Sequence, residues 1–337
     1  MPLLYAIPPG LDALVSSGQA QLIGAIIKDI SSGQILGHVQ QTQGFVQAFS
    51  QAGGTLAQTG FSPLGIAGVV QNEQIKSSLA QLHQGVGLLQ NLQIANIALT
   101  GIGLGVSIAG FAVMNMRLNA IETNLGTLRE EVRDIGRLIQ EAEIRRLFSD
   151  IRATLKDLDG VATRKDHLAI ASALQRQLSL HVSTISDLLR DAMDPAKATA
   201  LPMERLDLIW TLGSAKWLCE EAELRALFIS EDLDHAGDYA AQYRDENLRC
   251  MDRMNPDAMA RLIAASEKDL TTSITVRREA AGRLGRIADS FASAVTSLDQ
   301  QHALSRALID GGVGGRDLIL AASQETKEPF LFVVPKQ

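Results

Sequence analysis

IANIALTGIGLGVSIAGFAVMNM, from Ile94 to Met116, is a run of twenty-three residues without one charged side chain. As a helix rising 1.5 Å per residue it spans about 35 Å, enough to cross a hydrocarbon layer of about 30 Å. Its polar members, Asn96, Thr100, Ser107 and Asn115, are few and mostly near the ends. Arg117 follows at once, placed to snorkel to an interface. Gly101, Gly105 and Ala109 recur every four positions and leave one helix face with almost no side-chain bulk. Such a face lets a second helix approach closely in lipid. In water each of those glycines costs about 1 kcal/mol relative to alanine, so close packing must recover the loss. Ile94, Gly101, Gly105, Ala109, Phe111 and Arg117 are therefore the candidate membrane and helix-packing residues. Two other readings use the same residues: the buried central helix of a large bundle, or a hairpin that never meets lipid. The Gly101-Ile102-Gly103-Leu104-Gly105 run lacks the GxGxxG spacing and any βαβ context, so a nucleotide turn is not indicated.

The segment belongs to a strongly asymmetric chain of 337 residues. Residues 1–116 hold only five charged side chains, Asp12, Lys28, Asp29, Glu73 and Lys76, yet carry fifteen glutamines and seventeen glycines. No charge falls between Ile30 and Asn72. Disordered tails are usually charged or proline-rich and poor in Val, Ile and Leu; this region is rich in them. The whole chain has a net charge of −7 and only 4% aromatic residues. Neither the phosphate-neutralising surplus nor the stacking rings of a nucleic-acid binder are present. The start, MPLLYAIPPG, lacks a basic n-region and is broken by Pro8 and Pro9, so cytoplasmic synthesis without a signal peptide is expected. The product would then be soluble, membrane-associated or released.

Downstream, 131 residues between Pro63 and Pro195 contain no proline, which permits long helices. Ile75, Leu79, Leu82, Val86 and Leu89 step by four and three. Leu118, Ile121, Leu125, Leu128, Val132, Ile135, Ile139 and Ala142 do the same over more than three heptads. The seam Ile121, Leu125, Leu128, Val132, Ile135 and Ile139 fits a helix in an intramolecular bundle or an oligomeric zipper. Further helices are expected at 164–194, 203–229, 233–253 and 257–309, the last opened by Asn255-Pro256-Asp257 and long enough to run antiparallel to a 117–158 helix. The glycines of 311–315 stop it.

Strand signals lie at the two ends. Gln21–Ile27 and Ile35–Val39, joined through Ser31-Ser32-Gly33, read as a β-hairpin within 20–41, with a helix as the competitor. Phe330–Val334, bracketed by Pro329 and Pro335, reads as a strand that could join it. The expected fold is mainly α: a long-helix bundle with an uncharged apolar helix or hairpin and a small β element formed by both ends. Its expected parts are an uncharged N-terminal region 1–59, an apolar membrane-active segment 60–116, a charged helical bundle 117–310, and a glycine-rich turn with C-terminal strand 311–337.

Catalytic, cofactor and metal residues are not expected. The six histidines form no HExxH or other local metal pattern, and no GxSxG occurs. Glu231-Asp232-Leu233-Asp234-His235 with Asp238 is the densest acidic cluster, which the start of a helix favours without any ligand. Ser214-Ala215-Lys216 is too short for SxxK; Trp210, Trp217 and Cys219 are expected in a helix core, and Cys219 and Cys250 as buried thiols.

An uncharged apolar segment, 94–116, set among long amphipathic helices resembles the architecture of α-helical pore-forming toxins of the cytolysin A and haemolysin BL type. That resemblance lies in pattern over roughly residues 60–310 and departs at the β signals of 20–41 and 329–335. It implies a soluble form that shields the apolar helix, then inserts into a lipid membrane and forms a homo-oligomer or joins helical partner proteins. The alternatives are a constitutively anchored coiled-coil scaffold or signalling protein, and a soluble helical structural subunit.

Overall fold

Prolines and side-chain caps divide the charged half of the chain into helices. The computed structural model describes residues 4–5, 11, 13–14, 17–23, 26–41, 141–194, 203–265, 267, 269–324 and 330–333. Among them run helices α1 (Glu141–Leu158), α2 (His167–Met193), α3 (Glu204–Ile229) and α4 (Leu233–Arg253), then α5 (Pro256–Ala264), α6 (Leu270–Gly311) and α7 (Gly315–Gln324). Strands are β1 (Leu4–Tyr5), β2 (Ala20–Ile23), β3 (Ile26–Asp29), β4 (Ile35–Gln41) and β5 (Phe330–Val333). The protein is mainly helical with a small antiparallel sheet, as the sequence indicates.

Helix α2 is amphipathic: Ala171, Leu174, Leu178, Val182, Ile185, Leu189 and Ala192 are buried at steps of three and four, and α2 lies along α3. Each large aliphatic side chain so buried contributes about 1.5–3 kcal/mol. Helix α6 carries a similar seam, Ala280, Leu284, Ile287, Phe291, Ala294 and Leu298, continued to Leu308. It packs chiefly on α4, which offers the small face Ala236, Gly237 and Ala240. Helix α3 sits in the middle, contacting α1, α2, α4, α6 and α7. Trp217 and Cys219 on it are buried, Trp217 meeting Phe291 edge-on at 4.8 Å, while Trp210 is half-buried against the same core. Cys219 and Cys250 are free thiols.

Two helix expectations change. The single helix 257–309 is two helices. Asn255 caps α5 by accepting from the Ala258 amide at 3.0 Å, but α5 ends at Ala264. Asp269 then starts α6 by accepting from the Thr272 amide at 2.8 Å. No glycine or proline marks this break; a capping aspartate offering the backbone an alternative partner is enough. Helix α5 folds back on α6 instead of extending it, with Asp257 bridging Arg261 and Arg277 at 2.6 Å each. Over the described part of the expected 117–158 helix the pairing of α6 also differs: its main neighbours are α4, α5 and α3, whereas α1 packs on α2 and α3.

The glycine stop falls where expected. Gly312 takes a left-handed φ of +62°, and its amide and that of Val313 close on the Leu308 and Ile309 carbonyls. The ten-residue α7 that follows was not foreseen. Glu231, itself left-handed at φ +61°, accepts from the amides of Gly315 at 3.1 Å and Arg316 at 3.2 Å, which seats the start of α7 against the end of α3. A β-carbon on Gly315 would lie 2.5 Å from the Phe228 carbonyl oxygen.

The sheet has the order β1-β5-β4-β3-β2. Strand β5 lies between the N-terminal pair of residues and β4, with Val39 opposite Phe332 and Tyr5 also opposite Phe332. Both ends of the described chain thus meet in one sheet. The turn after β3 is organised by Asp29, whose Oδ1 accepts from the Ser31 and Ser32 amides at 2.9 and 2.7 Å and from both hydroxyls. Those donors pull the Asp29 carboxyl down to about 2. Gln21–Ile27 is not one strand: β2 and β3 pair with each other, Ile23 opposite Ile26. The two residues linking them in sequence are Gly24-Ala25, a composition that two-residue hairpins favour.

Two glycines should respond in opposite ways. Gly315→Ala meets backbone that cannot swing aside and should lower stability by about 1–3 kcal/mol. Gly282→Ala, in α6 with nothing within 4 Å of its added carbon, should raise it by roughly 0.5–1 kcal/mol. Urea unfolding midpoints check both signs.

Candidate functional site

A helix buried on all sides is ordinarily apolar all round. Helix α3 is not. Arg205, Lys216, Glu220, Glu221, Glu223 and Arg225 all lie on it and all are buried. Some of these serve packing alone: Arg205 donates to the Ala192 and Asp191 carbonyls at 2.7 and 2.8 Å, satisfying the end of α2. Lys216, Glu220 and Glu223 form the most unusual polar cluster in the described structure.

Lys216 is 1% exposed, as is Glu220 one turn later on the same helix. The Lys216 ammonium donates to Glu220 Oε1 and, at 2.8 Å, to Asn247 Oδ1 from α4. Asn247 Nδ2 returns a bond to Glu220 Oε2 at 3.2 Å, closing a ring of three side chains. Burial pushes the Glu220 carboxyl up, opposed by the Lys216 charge and the two hydrogen bonds. The ammonium also lies 5.7 Å from the centre of the Tyr243 ring. One turn further along α3, Glu223 accepts from Gln175 Nε2 of α2 at 2.6 Å and from the Tyr243 hydroxyl of α4. Burial raises the Glu223 carboxyl to about 7 and moves the Tyr243 hydroxyl far up. Three helices are thereby stitched in register by side chains from a single one.

Beside this network, α2 and α4 part to leave a cleft of about 680 Å³, floored by Lys216. Its walls come from Ser179 to Met193 on α2 and from Tyr239 to Arg253 on α4. A volume of this size suits a small organic molecule. Cys250 lines it as well, but burial raises that thiol and keeps it a poor nucleophile at neutral pH.

The residues singled out from sequence are elsewhere. Ile94, Gly101, Gly105, Ala109, Phe111 and Arg117, and the seam Ile121, Leu125, Leu128, Val132, Ile135 and Ile139, all lie outside the described residues. No helix among the described residues is long and apolar enough to cross a membrane. The acidic run is engaged in structural contacts: Glu231 seats α7, Asp232 meets His235 at 2.7 Å, and Asp234 faces Arg306 at 3.7 Å. Among the described residues no three His, Cys, Asp or Glu side chains gather as a metal site. In the sequence Lys216 stands out only in a stretch too short for SxxK, and its partners not at all; the available signal is a helix, 204–229, with charges distributed on every face. Comparison of the chain with protein families, curated proteins and solved structures finds no match.

The network makes two predictions. Lys216→Met strands Glu220 as an uncompensated buried charge and should cost about 3–5 kcal/mol in chemical denaturation. Glu223 governs a pH dependence. Its carboxyl is raised in the folded state, so its contribution is full below the ordinary carboxylate range near 4.5 and drains away as pH rises to about 7. That span is worth about 3 kcal/mol. In Glu223→Gln the decline between those pH values should be shallower than in the parent, read as a smaller fall in melting temperature across that window.

Proposed function

We propose that this is a membrane-active helical protein in which the uncharged segment 94–116 enters lipid and associates with copies of itself along Gly101, Gly105 and Ala109. The carrying observation is a twenty-three-residue charge-free run in a chain whose bundle already has a central helix. If 94–116 served as that central helix, it would compete with α3, which fills the position with its own buried ring of partners. Homo-oligomerisation, and pore formation through it, is the reading that best uses the small-residue face.

The sheet favours one mode of entry. Strand β5 is held between β1 and β4, so residues 42–329 leave from and return to the same sheet. With that sheet intact the chain between β4 and β5 must return to the side it left, so 94–116 would enter as one arm of a hairpin or as a re-entrant segment and not as a lone span, and the charged bundle need not pass through hydrocarbon.

Liposome experiments on the full chain decide this. The parent should co-float with liposomes and release entrapped dye. Gly105→Leu adds four heavy atoms to the small face while raising apolarity, so co-flotation should persist and dye release should fail. A parent that neither floats nor permeabilises would overturn the proposal, and full permeabilisation by Gly105→Leu would remove close helix packing from it.

A further inference from the structure

The cleft between α2 and α4 has an asymmetry in what its lining groups are already doing. Four cationic side chains, Arg190, Lys216, Arg249 and Arg253, and two carboxylates, Asp187 and Glu246, line it. Both carboxylates are engaged: Asp187 by Arg190 at 2.9 Å, and Glu246 by the Gln242 amide at 2.8 Å. The uncommitted groups are donors. No ion pair among the described residues holds Arg249 or Arg253, which stand one turn apart on α4, an arrangement of like charges that is mildly unfavourable by itself. The Ser186 hydroxyl is buried without a partner among the described residues. An ammonium has three hydrogens, and Glu220 and Asn247 take only two of those on Lys216.

These donors are also ordered along the cleft. Gln175–Glu223–Tyr243 contacts at one level, and Arg205 on Ala192 at another, show that α2 and α4 both run antiparallel to α3. Arg190, Arg249 and Arg253 therefore share one end, and Tyr239 stands toward the other, its ring edge-on to Tyr243 at 5.9 Å. Arg190 and Arg253 lie in the last turns of their helices, where the dipole alone favours a cation. That reason does not extend to the buried Lys216 or to the orphaned Ser186 hydroxyl.

We propose that the cleft between α2 and α4 binds a phosphate monoester, its phosphoryl group held by Arg249, Arg253 and the free hydrogens of Lys216 and Ser186, its organic body lying toward Tyr239. A phosphate carries about two negative charges at neutral pH and three acceptor oxygens. It matches two uncommitted guanidinium groups better than a single carboxylate does, and guanidinium forks suit its geometry. Val182, also in the lining and on the Tyr239 side of Ser186 and Arg190, gives the body apolar surface to rest on. The same chemistry belongs to a soluble ester and to the head group of phosphatidic acid. This inference concerns the bundle and does not rest on the membrane reading of 94–116.

The test is titration calorimetry of the full chain with phenyl phosphate, beside co-flotation with phosphatidylcholine vesicles with and without phosphatidic acid. Calorimetric binding of phenyl phosphate assigns a soluble ester. Flotation that needs phosphatidic acid, without calorimetric binding, assigns the lipid head group. In either case Arg249→Ala and Arg253→Ala should weaken the interaction roughly tenfold each. Arg176→Ala, an exposed arginine of α2 outside the cleft, should leave it unchanged. Arg249 and Arg253 are both exposed, so their variants should keep the parent's circular dichroism and melting temperature. Arg249→Lys, which keeps charge but loses the fork, should fall between. If neither probe binds the parent, or if Arg249→Ala/Arg253→Ala binds like the parent, the proposal is overturned.

Discussion

The ion pair of Lys216 with Glu220, closed by Asn247, is the constraint on which the helical part of this protein turns. Removing two charges from water costs several kcal/mol per ion unless each finds close partners. Here the partners come from the same helix and from α4. A buried apolar helix can rotate or slide by one residue at modest cost. Helix α3 cannot, since any shift separates Lys216 from Asn247 and Glu223 from both Gln175 and Tyr243. Polar burial of this sort adds little net stability over a packed aliphatic core, but it sharply penalises every register except one.

That constraint explains why the surrounding helices carry simple patterns. Helices α2 and α6 need only supply continuous apolar seams, because α3 fixes their level along the bundle. Helix α4 has the harder task. It presents Ala236, Gly237 and Ala240 to α6, where Gly237 lies close to His302 and its carbonyl oxygen is 2.9 Å from the His302 Nδ1. It also turns Tyr243 and Asn247 toward α3. A helix with two occupied faces has little freedom to lean toward α2, and the cleft between α2 and α4 follows from that.

Much of this fold was legible in the sequence where local chemistry is strong. Pro195, Pro202 and the cap at Asn255 punctuate the chain, and α2, α3 and α4 fall within a few residues of the expected spans. The pairing of the two ends was legible because prolines isolate Phe330–Val333 and the Ser31-Ser32-Gly33 turn opens onto the apolar run Ile35–Val39. The break at 265–269 was not, since it depends on Asp269 outcompeting helix continuation without any strong breaker. The ten-residue α7 was not either, because its start is held by Glu231, eighty-odd positions earlier in the chain. The polar network was the least legible of all. A lysine in a charged helix reads as solvated until the helix is known to be central, and centrality is a property of the assembled bundle, not of residues 204–229.

The two halves of the chain therefore select their contacts by different physics. Between 141 and 324, buried charges reject wrong neighbours, because each mismatch leaves an ion unpaired in a low dielectric. Residues 94–116 have no such means, having no charge to strand. As a helix, 94–116 would present Gly101, Gly105 and Ala109 as a face that any smooth helix could approach closely. Shape without charge is a poor way to choose a unique partner in water, where competing apolar surfaces are all attractive. In lipid it is an adequate one, because the solvent there is as apolar as the side chains and only close backbone approach is rewarded. This difference in how partners are chosen is a further argument for the proposal that the uncharged segment serves lipid.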